Sequence, residues 1–305
     1  MTVPKTVQVL APAKITLALH VTGQRDDGYH LLDSLVGFTQ LGDTLTLTAP
    51  GQGELSVSGP FGRDVPTDGS NLICKVAEQA WPEIRVSFHL HKELPVASGI
   101  GGGSADAAAC YRAIALLRQL KSERESLSYL SDEKIAALAS LGADIPMCVH
   151  SMPAVVRGIG EDIRSVTDLP SLPILLVNPG IAVSTPAVFN ALVEKSNTAM
   201  EPLAVAPGRE AFLDWLGRQR NDLQAPACTL VPVIDEVLAC LGKAQGCALA
   251  RMSGSGATCF GLFRASKEAR QAERWIKEIN PSWWVQASVI NGPPMSAPYR
   301  IRSTT

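Results

Sequence analysis

Between Leu94 and Leu120 the chain reads LPVASGIGGGSADAAACYRAIALLRQL, with four glycines in the five positions from Gly99 to Gly103. No other stretch constrains the fold as tightly. A backbone of this composition takes up positive φ freely and admits another group to contact with its amides. From Ser104 onward, Ala107, Cys110, Tyr111, Ile114, Leu117 and Leu120 recur at three- and four-residue spacing, which predicts a helix with one buried face. Ahead of the loop, Val86, Phe88 and Leu90 alternate with polar residues, as in a strand. Strand, glycine loop and helix N-terminus together make an anion site, where unpaired N–H groups and the positive end of the helix dipole converge. A flexible linker is one alternative, but Ser/Thr/Pro padding is missing and both flanks are strongly patterned. A structural turn is the other, and one or two glycines suffice for that. Phosphate is the favoured guest. Neither common phosphate motif fits, however. The helix opens Ser104-Ala105 with no lysine, unlike a P-loop, and Ser104 stands where the dinucleotide fingerprint needs a third glycine.

The partner class narrows on charge. Lys and Arg total 27 against 29 Asp and Glu, a formal net charge of −2, so no basic surplus points to nucleic acid. The seven cysteines contain no CxxC pair and mostly sit in apolar patterns, where a free thiol acts as a small hydrophobe. Nothing resembles a signal peptide, and no apolar run reaches membrane-spanning length. A soluble cytoplasmic protein without membrane partners is expected. Its 305 residues suggest two domains. The Pro-rich segment from Leu169 to Pro173, followed by a buried strand from Ile174, places the boundary between 1–168 and 169–305.

Along the chain, Val7 to Val21 is β-rich and is broken by Ala11-Pro12-Ala13-Lys14. Lys14, beside the apolar run ITLALHV, is either a snorkelling surface lysine or a functional one. The segment 23–30, GQRDDGYH, ends in Tyr29 and His30, either structural or a stacking surface for a flat base. Gly42-Asp43 reads as a turn into the strand TLTLT, and 71–81 as a helix. Ser122 to Ser131 reads as a polar connection, with a helix from Asp132 that Gly142 stops. Asp144 follows, boxed in by Ala143, Ile145 and Pro146; it is either a capping aspartate or a buried carboxylate in need of a cation such as a lysine. Thr185-Pro186 opens a helix, residues 195–210 form a loop, SGSGAT at 253–258 is a second glycine turn, and 284–289 is the last strand.

These features share one pattern. PVASGIGGGSADAA resembles the central ATP-binding motif of the GHMP kinases (the galactose, homoserine, mevalonate and phosphomevalonate kinase superfamily). PAKITLALHVTGQRDDGYH resembles their first motif and RMSGSGAT their third. GQRDDGYH, LGADIP and GIGE, with Ala13-Lys14, are similar to the branch acting on 4-diphosphocytidyl-2-C-methyl-D-erythritol in the non-mevalonate route to isoprenoids. The resemblance implies an α+β two-domain GHMP fold, with a ribosomal-protein-S5 domain 2-like N-terminal domain, a ferredoxin-like C-terminal domain and the site between them. It implies ATP with its phosphates on Pro95, Val96, Ala97, Ser98, Gly99, Ile100, Gly101, Gly102, Gly103, Ser104 and Ala105, and Asn71 and Lys92 on the adenine side. Asp144 matches the catalytic base and Lys14 the lysine beside it. Tyr29, His30 and Phe189 match residues that hold cytosine, with Thr185 and Phe38 bordering the substrate. Mg²⁺ accompanies ATP, with Ser104 as the one hydroxyl offered to it. A monomer or weak homodimer is expected. The chain departs from the pattern at Thr16, where the family usually has Asn to bond the methylerythritol, at Ala105, often serine, and at Ser151-Met152, often two glycines.

Overall fold

The structure, a computed structural model, describes residues 5–82, 86–119, 131–292 and 299–303. Leu120 and the polar connection expected from Ser122 to Leu130 lie outside the described residues. Two 20-residue strands, β1 (Lys5–Gln24) and β2 (His30–Ala49), pair antiparallel along their whole length and carry the rest of the fold. Gly28, at φ +88°, closes their turn, where the amide of Arg25 donates to the Tyr29 carbonyl. Then follow β3 (Leu55–Ser58), α1 (Leu72–Ala80), β4 (Ser87–His91), α2 (Gly102–Gln119), α3 (Asp132–Ala137), α4 (Ile145–His150), β5 (Ala154–Gly158) and β6 (Asp162–Ser165). The second half contains β7 (Leu172–Asn178), α5 (Thr185–Asn190), α6 (Arg209–Arg218), α7 (Gln224–Leu230), α8 (Val233–Lys243), β8 (Cys247–Met252), β9 (Cys259–Phe263), α9 (Ser266–Ile279), β10 (Trp284–Ile290) and β11 (Tyr299–Ser303).

The main path of strands runs β11-β1-β2-β10-β7-β9-β8, with β4 and β5 pairing with opposite ends of β2. Ile290 opposite Thr39 is the pair that joins β10 to β2. One strand threads three cores. Val7, Val9 and Ala11 of β1 pack with Ala107, Cys110 and Ile114 of α2. Ile15 and Leu17 pack with Ile174, Leu176, Phe212 and Phe260, and Leu19 and Val21 with Val188, Leu223 and Val237. Alternation along a strand puts successive residues on opposite faces, so a 20-residue strand can serve several cores in turn. Lys14 and Thr16 therefore stand where the halves of the molecule meet.

Beyond strand β3, which lies within a stretch (49–70) that reads as turns, and the unread β5, β6 and α4, four differences from the sequence reading have a clear physical reason. Gly42-Asp43 is not a turn but the middle of β2. Glycine is needed there because the Ala11 carbonyl would lie 2.2 Å from a Cβ, and the Asp43 side chain is buried in an ion pair. Rather than one face, α2 buries Ala105, Ala107, Ala108, Ala109 and Cys110 in near succession. It lies between the β1–β2 hairpin and α1 and α4, and a helix apolar all round is an interior helix. Helix α7 escapes the pattern because Pro226 interrupts its short run, although proline is tolerated in a first turn. Strand β11 lies beyond the expected last strand and returns to pair with β1, from Lys5 opposite Ser303 to Val9 opposite Tyr299.

Candidate active site

The glycine loop leaves β4 and enters α2 with positive φ at Ala97, Gly99 and Gly101, at +51°, +76° and +66°. Alternation of that kind turns successive amides toward one concavity, a backbone nest for anions. The loop carbonyls are tied to the surroundings. Those of Ser98, Gly99 and Ile100 accept from the Thr258 amide, the Ser253 hydroxyl and the Lys14 amide at 3.2, 3.1 and 2.9 Å. Gly101 accepts from the Ala105 amide at 2.9 Å, the first bond of α2. Amides ahead of it at a helix start have no intrahelical acceptor, so the amide edge is left for a ligand. At Gly103 a Cβ would meet open space; at Gly99 it would strike the carbonyl oxygen of Gly256 at 2.5 Å. One glycine keeps a space clear and the other permits contact between backbones.

That contact shows what the SGSGAT turn does. Ser253 is fully buried; its hydroxyl accepts from the Thr16 amide at 3.0 Å and donates to the Gly99 carbonyl. A single side chain thus joins the first, second and third motifs.

Lys14 and Asp144, 130 residues apart, meet at 2.5 Å. Asp144 stands at the N-cap position of α4 yet makes no capping bond, because its carboxylate turns to Lys14 instead. The capping alternative is thereby excluded. Burial works against the Lys14 ammonium, but the charge of Asp144 and the bond to it outweigh burial and hold its pKa above the ordinary value. Cys148, one turn further along α4, is buried and its thiol is pushed up to about 12, so it is no nucleophile at neutral pH.

A cleft of about 250 Å³ opens beside this pair, lined among others by Thr16, Ser34, Gly99, Gly101, Gly160, Thr185, Phe189 and Ser255. Thr185 and Ser255 share a hydrogen bond of 2.8 Å between their hydroxyls. His30 stacks on Phe189, with ring centroids 4.9 Å apart and planes at 25°, and its Nε2 is buried without a partner. Tyr29 next to it is 62% exposed. Partial burial, then the charge of Lys195, pull the His30 pKa below its ordinary value.

Three expected site residues have their side chains engaged outside this cleft. Phe38 is buried and lines a separate cavity with Leu10, Pro12 and Arg112, so the structure does not bring it to the cleft. The Asn71 carboxamide is committed to capping α1 through the Ile73 amide and to the Pro66 carbonyl. Lys92 is buried with its ammonium between Asp43 and Asp106, at 2.6 and 2.7 Å. The sequence reading did not single out Asp43, Asp106, Ser253 or Ser255. Asp43 was hidden behind a false turn, and the two serines lay in a glycine turn that is uninformative alone. Among the described residues, no group of three or more His, Cys, Asp or Glu side chains is arranged to hold a metal ion, and no helix is long and apolar enough to cross a membrane.

Comparison with known proteins follows the same lines. Residues 71–152 match the GHMP kinases N terminal domain and residues 201–280 the GHMP kinases C terminal family. A 4-diphosphocytidyl-2-C-methyl-D-erythritol kinase from Paracoccus denitrificans is 50% identical over 279 residues, 91% of this chain and 94% of that protein. One from Roseobacter denitrificans is 46% identical over 291 residues, 95% of each. A crystal structure of 4-(cytidine 5'-diphospho)-2C-methyl-D-erythritol kinase superposes with a TM-score of 0.73 at 31% identity, covering 94% of this chain and all of that one.

Proposed function

Because the chain belongs to the GHMP kinases, and within them to the 4-diphosphocytidyl-2-C-methyl-D-erythritol kinases, we infer that it moves the γ-phosphoryl group of ATP onto the 2-hydroxyl of that substrate. The products are the 2-phosphate and ADP, a step of the non-mevalonate route. The observation that carries the reading is the Lys14–Asp144 pair at the mouth of the amide-lined glycine loop.

In this account the loop from Pro95 to Ala105 holds the polyphosphate, and the amides at the start of α2 stabilise charge on the transferring group. Asp144 accepts the proton of the attacking hydroxyl. Lys14 pairs with that carboxylate and, beside the glycine loop, supplies a positive charge to offset that of the transferred group. Thr16, in the cleft, offers one hydroxyl to the methylerythritol. His30 and Phe189 hold the cytosine: the rings supply a stacking face, and the unpartnered His30 Nε2 supplies a polar atom for the base edge. Tyr29 closes the rim, and Thr185 and Ser255 border the cytidine end. Mg²⁺ would neutralise phosphate charge when it arrives with the nucleotide. The residues present fit a cation carried by phosphates, with Ser104 as the protein hydroxyl nearby, rather than one held in a protein cage. All of these groups come from one chain, so a monomer suffices for the reaction. The division at residue 168 separates the nucleotide-loop half from the half that supplies the SGSGAT turn.

A coupled ADP-release assay over a panel of acceptors tests the reading. Turnover is expected with 4-diphosphocytidyl-2-C-methyl-D-erythritol; turnover with homoserine or mevalonate instead refutes it.

A further inference from the structure

One buried charge cluster has no part in the reaction just described. Lys92, Asp43 and Asp106 are all nearly inaccessible to solvent, and the Lys92 Nζ lies 2.6 Å from Asp43 and 2.7 Å from Asp106. The other oxygen of Asp43 accepts from the amides of Glu93 and Leu94, at 2.7 and 2.9 Å, where the chain enters the glycine loop. Asp106 stands in the first turns of α2, where the chain leaves it. Its second oxygen has no partner, and Lys92 and Asp43 are the groups that face that carboxyl. The ammonium also packs on the loop's end, 3.1 Å from where a Gly102 Cβ would be. One cation therefore ties the entry of the loop to its exit. A lysine and two carboxyl groups held out of water are costly, and burial pushes the Asp106 pKa up to about 8, so that carboxyl is largely protonated at neutral pH; apolar residues fill such space at least as well when only stability is at stake. Their arrangement points to geometry instead.

We propose that Asp43, Lys92 and Asp106 form a positioning clamp that fixes the two ends of the glycine loop at the spacing a nucleotide's phosphates require, and that the Lys92 side chain makes no contact with adenine. The inference rests on the reading of the loop as the ATP phosphate site, and it replaces the sequence-based assignment of Lys92. An adenine contact and a loop clamp differ in one respect: the first acts on every adenine compound, the second only on those with phosphates.

Calorimetric titration of the full chain with ATP, ADP, GTP and adenosine separates them. Wild type, Lys92→Met and the double variant Lys92→Met/Asp106→Asn are compared. Lys92→Met is expected to weaken ATP and ADP by roughly 10- to 100-fold, the scale of a misplaced positioning element, and to leave adenosine and the ATP-over-GTP preference unchanged. The double variant recovers part of the loss, because the buried carboxyl group left without its lysine has been replaced by a neutral amide. Equal weakening of adenosine and ATP, or unchanged ATP affinity, overturns the proposal. So does a double variant that binds ATP more weakly than the single one. Should Lys92→Met not fold, the double variant gives the same comparison of ATP with adenosine. A wild-type protein that binds adenosine as tightly as ATP would sink the phosphate reading itself, a failure distinct from that of the clamp.

Discussion

Gly103→Ala should make the protein more stable and a poorer enzyme. Gly103 lies in the first turn of α2 without positive φ, and a Cβ built on it meets nothing within 4 Å. Alanine therefore gains helix propensity without strain, about 0.5–1 kcal/mol, or roughly 1–3 °C in Tm for a chain of this size. The same methyl group would stand in the space assigned to the triphosphate. A displacement of about 1 Å at a reacting centre costs on the order of 100-fold, so kcat/KM for ATP should fall roughly 10- to 100-fold. Differential scanning fluorimetry and the coupled ADP assay, run on one preparation, give both numbers. A stabilised variant with unchanged ATP kinetics would refute the reasoning, because the phosphates would then not lie over Gly103.

Gly99→Ala should act in the opposite way on stability. Its φ of +76° costs about 1–2 kcal/mol for alanine. The backbone oxygens at 2.5 and 2.8 Å add about 1–3 kcal/mol of overpacking, measurable by urea denaturation. Asp144→Asn should lower kcat by roughly 10²- to 10⁴-fold while ATP still binds, as titration calorimetry would show; near-normal turnover places the base elsewhere. Because the His30 pKa is lowered, its ring stays neutral further toward acid than an ordinary histidine, so KM for the cytidine substrate should rise only at a pH below the ordinary histidine range. Since the unfolded chain takes up this proton first, the His30 contribution to stability is also lost as pH falls below 6.5, and His30→Gln should flatten both profiles.

Much of this was legible in the sequence wherever composition dictates local geometry. Four glycines between a strand pattern and a helical one announce exposed amides, and strand β9, Cys259–Phe263, was readable as an apolar run between turns. Lys14 and Asp144 stood out as charges in apolar settings, yet their contact spans 130 residues and no local pattern encodes it. Gly42 misled for a related reason. Glycine marks either a turn or a close approach of backbones, and only the partner strand, here Ala11, tells which. Lys92 was assigned by resemblance alone, and its ion pairs with one carboxyl group on β2 and one on α2 are encoded by no local pattern.

The central claim is most directly tested by a crystal structure of the chain with a non-hydrolysable ATP analogue and the cytidine substrate. The terminal phosphate should rest on the amides between Gly99 and Ala105 and face Lys14 and Asp144, with the substrate hydroxyl between. A polyphosphate bound away from that loop, or Lys14 and Asp144 on different sides of the nucleotide, would contradict it.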